Sequence, residues 1–336
     1  MKKPSAFLLF VLLALTSQLA SAQTMVQTIR RVNNNGITGT NIYATIQAAH
    51  DAATNGDIIQ IEPSTTVYGA LTCIKQLTIV GPGYFLSENQ PPALQASTID
   101  ATMSTLFFNP GSAGSSVSGI VGNTTWYIGT DNITVQRCRL SGYLYLGYSR
   151  VTNFAVVRQN YMDGIQPSSA SANSLITNNI IINGNLNLSG AGMTGEFNHN
   201  TLINSAMSLN GFTVRNNYFG NTFTPTANTN WAYNFFTNTT LPTGGTQSNN
   251  TANVPASTVF AQTTGSPQYD GWYRLRTGTN PAVGAGEGGV NIGATGSATG
   301  FGYRFGGLPA IPAIYQLNQS VTGNSLNVTM GTRSNN

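Results

Sequence analysis

The chain has 336 residues, with 14 Lys plus Arg against 10 Asp plus Glu, a formal net charge of +4. Only 7% of its residues are charged, against about 25% in an ordinary soluble domain. With Lys75 the only lysine after Lys3, no basic cluster exists to hold phosphates and nucleic-acid binding is not expected; 40% hydrophobic residues in short, regular runs argue against disorder.

The first element is an export signal. Lys2 and Lys3 give a positive start, Phe7 to Leu15 is an unbroken apolar run, and Ala20-Ser21-Ala22 supplies the small-x-small pattern of a cleavage site. Cleavage near Ala22 leaves Gln23 as the new terminus, lowers the net charge from +4 to +2 by removing the two lysines, and places the chain outside the cytoplasm: secreted, periplasmic or on the cell surface. No later run approaches the roughly 20 apolar residues of a membrane span.

Residues 23–57 read as an N-terminal segment ending in a helix. Ile42, Ile46, Ala49 and Ala53 fall on one face between Ile42 and Ala53, and Asn55-Gly56 closes it. A solenoid must cover its first exposed coil, and an amphipathic helix does so. His50 reads as a solvated residue of this helix.

Residues 58–300 read as the solenoid itself. Ile58 to Ile61, Leu77 to Val80, Thr105 to Phe108 and Val117 to Ile120 are short apolar runs at about one per 20 residues. Between Val135 and Phe236 the repeat sharpens into six segments: VQRCRL, VRQNYM, ITNNII, FNHNTL, VRNNYF and WAYNFF. Their fourth position is Cys138, Asn160, Asn179, Asn200, Asn217 and Asn234, with spacings of 22, 19, 21, 17 and 17. A weaker repeat, Leu144-x-Leu146, Leu186-x-Leu188 and Met207-x-Leu209, lies between them.

Period-2 apolar runs separated by Gly and Asn turns describe strands, two or three to a coil. The expected fold is all-β: a single-stranded right-handed parallel β-helix of about nine to ten coils with an N-terminal capping helix. An asparagine at the same bend of each coil can form an internal ladder, meeting buried polar groups that would otherwise cost about 1–3 kcal/mol each. Cys138 fits the ladder's end as a small neutral filler. Cys73 sits about three coils earlier, about 14 Å away at the strand spacing and too far for a disulfide, so two free, buried thiols are expected. Thr222 to Gln262 shows no clear repeat. Residues 301–336 read as a tail whose alternation at Leu326, Val328 and Met330 suits a strand capping the last coil.

The run "TIQAAHDAATNGDIIQIEPSTTVYGALTCIKQLTIVGPG" (Thr45 to Gly83) resembles the opening module of pectin-lyase-like right-handed β-helix proteins, and "YRLRTGTNPAVGAGEGGVNIGATG" (Tyr273 to Gly296) resembles the closing coil of secreted bacterial members. The ending from Pro309 to Asn336 is similar to that of secreted Bacteroidota proteins. The resemblance implies the fold; for function it implies a range, from pectate, alginate and chondroitin lyases through polygalacturonases and epimerases to adhesins.

Stacked outward columns are where such a fold builds grooves. One column carries Gln136, Arg158, Thr177, Asn198, Arg215 and Ala232; the other carries Arg139, Tyr161, Ile180, Thr201, Tyr218 and Phe235. A hydrolase needs paired carboxylates, yet Asp131, Asp163 and Glu196 of the repeat region form no adjacent pair. A calcium-assisted lyase needs an acidic cage, and none accompanies Arg158 or Arg215. His199, Arg158 and Arg215 remain the candidate catalytic bases, and no metal or cofactor is expected. Sugar binding asks for aromatics and arginines on a rigid face: Arg139, Tyr143, Tyr145, Tyr148, Tyr161 and Tyr218, with Arg158 and Arg215. The sequence thus favours a monomeric, non-catalytic β-helix that binds or is displayed against polysaccharide. The alternative is a polysaccharide lyase with an unrecognised site.

Overall fold

The computed structural model describes residues 27–89, 94–220, 223–224, 228–297, 300 and 302–335. The expected export signal lies outside them. No helix among the described residues is long and apolar enough to cross a membrane.

The body is a parallel β-solenoid of about nine turns. One sheet stacks twelve strands, from the strand Ile29–Val32 and its neighbours to Thr246–Ser248; a second, branched sheet of fourteen strands forms the remaining walls. The register follows the sequence repeat. Val135 pairs with Val157, Val157 with Ile176, Ile176 with Phe197, Phe197 with Val214, and Val214 with Trp231. These six side chains point inward and are at most 1% exposed. Burying each of them stabilises the fold by about 1.5–3 kcal/mol, and a one-residue slip would turn them all outward.

The ladder forms as expected and continues one step further. Asn160, Asn179, Asn200, Asn217 and Asn234 are fully buried. Each accepts at Oδ1 from the backbone N–H of the preceding ladder residue, at 2.7–3.0 Å, beginning with Cys138. Their Nδ2 groups donate to the next Oδ1 and to the strand carbonyls Val135, Val157, Ile176, Phe197 and Val214. Asn250 closes the series, accepting from Asn234 N and Nδ2 at 2.9 Å. Cys73 and Cys138 are both free and buried.

The residue before each ladder position takes a left-handed backbone. Arg137, Gln159, Asn178, His199, Asn216, Tyr233 and Asn249 all have φ between 51° and 58°. This costs a non-glycine residue roughly 1–2 kcal/mol, least for asparagine, and it makes the tight bend that turns the ladder inward.

Four regions differ from the sequence reading. The N-terminal helix is shorter, Ile46–Ala52, with the Thr45 hydroxyl accepting from Ala48 N as its cap. Ile42 belongs instead to a two-residue strand beside Ile29–Val32. His50 is 2% exposed, not solvated: its Nε2 accepts from Ile74 N at 3.1 Å and its Nδ1 lies 3.0 Å from Asp51 Oδ1. The helix therefore caps the first coil by hydrogen bond as well as by its apolar face.

In the stretch without a clear repeat, coils persist through Asn230–Ala232 and Thr246–Ser248. Beyond them, residues 273–296 form no coil. The chain folds back along the outside of the solenoid as a strap. A second core closes beneath it, in which Phe260 meets Tyr218 edge-on at 4.8 Å and Tyr273 at 5.6 Å, with Trp272, Ile292 and Tyr303 also buried.

The strap then descends the left-handed turn column coil by coil. Glu287 N donates to Asn216 Oδ1 at 2.8 Å, and Gly293 N donates to Asn216 O. Asn178 Nδ2 donates to Ala294 O and Gly296 O, Gln159 Nε2 to Gly302 O, and Arg137 Nη1 to Leu308 O. Its glycine richness has a steric reason at Gly296, where a Cβ would lie 2.6 Å from His199 Nδ1.

The tail does not cap the last coil. Ala313–Thr322 and Ser325–Arg333 form an antiparallel hairpin. Its root is fixed beside early coils by Ala96 N to Ile314 O and Arg333 Nη2 to Leu94 O, each 2.7 Å.

Candidate glycan-binding face

Alternation along a strand sends Leu144 and Leu146 inward and Tyr143 and Tyr145 outward. The strand register places Tyr145 beside Tyr127 below and Gln166 above, and Tyr127 beside Phe107. The rings of Phe107 and Tyr127 stack at 4.8 Å and 6° between planes, those of Tyr127 and Tyr145 at 5.4 Å and 21°. Tyr148 follows Gly147, whose left-handed φ of 71° turns the chain back. Its ring lies 4.6 Å from Tyr127 and 5.6 Å from Phe107, tilted by about 50°. Tyr143 meets Tyr145 edge-on at 6.5 Å.

All five rings are half-buried. Phe107, Tyr127 and Tyr145 spend their faces on one another and turn edges and hydroxyls outward; Tyr143 and Tyr148 stand at an angle to the stack. The hydroxyls of Tyr127, Tyr143, Tyr145 and Tyr148 have no hydrogen-bond partner among the described residues. Beyond Gln166 the same side of the sheet carries Asn187 and Ser208. The strip thus runs along the solenoid axis from aromatic to amide and hydroxyl, without a charge.

The remaining sequence candidates lie elsewhere. Tyr161 is 6% exposed and Tyr218 0%, both beneath the strap. The Tyr218 hydroxyl donates to Val254 O and lies 2.9 Å from Thr237 Oγ1. Burial pushes its pKa up to about 12. The strap covers the column that the repeat places outside, so these two tyrosines offer no open surface.

Arg139 shares a strand with Tyr143, but a register shift between Leu140 and Tyr143 bends the chain, and the two occupy different faces. Its guanidinium lies over the Phe85 ring at 4.3 Å. Arg215 is clamped by Glu287 of the strap at 2.5 Å. Arg158 is exposed and donates to Gln136 Oε1 at 2.8 Å. His199 is 9% exposed under the strap, with Nε2 lying 3.2 Å from Asn216 Nδ2. Burial holds its pKa below the usual value, partly offset by the Asn291 backbone. The three candidate bases therefore do not share a groove.

Two carboxyls lie within electrostatic reach of Arg139. Its charge acts on both Asp100 and Asp163. Burial pushes Asp100 up to about 6, against the pull of Arg139 and with the help of Glu88; it raises Asp163 in the same way. Asp131 instead staples a turn, accepting from Asn153 N, and Glu196 accepts from Asn198 Nδ2.

Phe107 and Tyr127 were legible as outward positions of Leu106-x-Phe108 and Trp126-x-Ile128, but the less regular upstream coils hide the column they share with Tyr145. Asp100 has no such signal, because it precedes its coil's first strand. Among the described residues, no group of three or more His, Cys, Asp or Glu side chains is placed to hold a metal ion. No protein-family model, curated protein or solved structure matches the chain.

Proposed function

We propose that the protein is a secreted or cell-surface β-helix of the pectin-lyase-like type that binds polysaccharide along the strip Phe107–Tyr127–Tyr145 without cleaving it. The observation that carries this reading is the row of rings fixed on a rigid sheet, with four phenol hydroxyls left free of partners among the described residues. Hydroxyls and amides along one axis suit the repeated hydroxyl groups of an extended sugar chain, and tilted rings suit its C–H faces. Because the strip carries no charge, neutral polysaccharides are favoured over uronates. Retention of the chain from Gln23 onward on a panel of immobilised neutral and uronate-rich polysaccharides tests the reading. It is abandoned if none retards the protein.

A second reading, a polysaccharide lyase or related enzyme, is supported by Arg139 and the carboxyls within its reach. A carboxyl with a pKa of about 6 can act as a general acid near neutrality, and a guanidinium within its electrostatic reach, seated over Phe85, can hold a uronate carboxylate. Unsaturated ends released from a uronate polymer, and lost in Asp100→Asn, would replace the binding reading with this one.

A further inference from the structure

We propose that the C-terminal hairpin is a dimerisation arm, whose apolar face packs against the same face of a second copy, with the tip of each arm seated at the root of the other.

The hairpin is amphipathic by register. Leu317 lies opposite Met330, Gln319 opposite Val328 and Val321 opposite Leu326, which puts five apolar side chains on one face. Asn318 opposite Thr329 and Ser320 opposite Asn327 occupy the other. The apolar five are 46–73% exposed, with Val321 at the tip the most open. A two-stranded ribbon with an uncovered apolar face is marginal in water, so this face requires a cover.

Three features select a second copy. No charged residue occurs between Arg304 and Arg333, so two such faces meet without repulsion or buried charge. Together with Tyr315, the exposed apolar side chains amount to roughly 600 Å² per copy, in the range of a small to standard specific interface once the flanking contacts are added. The root of the arm holds a receptacle: a cleft of about 520 Å³ between hairpin and solenoid, lined by Pro63, Pro82, Ile311, Pro312, Ile314 and Leu317 among others. A twofold axis across the arms sets them antiparallel, and the tip residues Val321 and Leu326 of one copy then reach the cleft of the other. Such an isologous contact closes on itself as a dimer.

This assembly replaces the monomer expected from the repeat, and it is independent of the glycan strip, which lies on another wall. The test is sedimentation of the chain from Gln23 onward, which contains every described residue, up to about 100 µM. A concentration-dependent dimer is expected. Val321→Glu with Leu326→Glu should raise its dissociation constant at least about tenfold while leaving the unfolding transition of the coils and any glycan retention unchanged. A monomer throughout, or a dimer indifferent to these substitutions, overturns the proposal. So does a monomeric arm that binds phosphatidylcholine vesicles and loses them in the same double variant, because lipid would then be the occupant. The antiparallel arrangement is read separately by oxidising an equimolar mixture of Val321→Cys and Leu317→Cys chains, the native thiols being buried. Mixed tip-to-root crosslinks are expected; tip-to-tip crosslinks alone overturn it.

Discussion

The Tyr303 hydroxyl donates to Asp270 Oδ2 at 3.1 Å and lies 2.6 Å from the hydroxyl of Tyr84. Gly306 N donates to the same carboxylate oxygen at 2.7 Å, and Asn89 Nδ2 to the other at 2.7 Å. A fully buried carboxyl thus joins two points of the strap to a loop from an early coil. Every group that meets it is a donor, and Arg274 adds a favourable charge, yet burial dominates and pushes it up to about 6.

The consequence is a pH dependence of known sign. In the unfolded chain Asp270 returns to the ordinary value of 3.8, so between that value and about 6 the folded state binds more protons. Stability then falls as pH rises through this window. Asp100, also near 6 through burial, acts in the same direction. His199, held below its usual value by burial, opposes them over the same range, so the Asp270 contribution is read by difference. The melting temperature at pH 5 minus that at pH 7 should be larger in the parent protein than in Asp270→Asn, and an equal or smaller difference in the parent would contradict this account of the lock.

The ladder makes a graded prediction. Asn200 accepts from Asn179 N and Nδ2 and donates to Ile176 O and Asn217 Oδ1. Asn200→Ala leaves these groups unpaired inside the solenoid, at a cost of about 3–5 kcal/mol. Asn250 is half-buried at the end of the series, and Asn250→Ala should cost about 1 kcal/mol. Urea denaturation of both variants checks the order.

Strap anchoring should be dominated by buried donors rather than by its ion pair. Arg215 and Glu287 are 41% and 44% exposed, so Glu287→Gln should cost at most about 0.5 kcal/mol. Asn178→Ala loses two buried hydrogen bonds and places alanine at a φ of 56°, for about 2–3 kcal/mol. Proteolysis within residues 252–309 should accelerate in the second variant and not in the first.

Most of the solenoid was legible because its physics is local and repeated. Val135 to Trp231 fixes the inward column, and Asn160 to Asn234 fixes the bend; each coil states the pattern again. The strap was not legible, because nothing in Tyr161 or Tyr218 distinguishes a tyrosine under a covering segment from one facing water. The cover lies over a hundred residues from Tyr161, and its glycines read equally well as turns of another coil. His50 was misread for a related reason: its partner, Ile74 N, belongs to a different coil. The candidate face was half visible, through Tyr143, Tyr145 and Tyr148; its other half depends on the register that sets Phe107 and Tyr127 beneath them.

The thiols offer a simple check on coil integrity. Burial raises Cys73 and pushes Cys138 up to about 12, so neither is a thiolate near neutrality. Reaction with a disulfide reagent should proceed only at the rate of unfolding, and rapid labelling of either in the folded protein would contradict the packing.

The most direct test of the central claim is affinity electrophoresis on the retaining polysaccharide, comparing Tyr127→Ala with Tyr145→Ala against Arg158→Ala. The account predicts that the tyrosine pair weakens retention by at least about tenfold, each lost phenol hydroxyl contact being worth about 1 kcal/mol, while Arg158→Ala migrates like the parent protein. Undiminished retention in the tyrosine variant would contradict a binding role for this face.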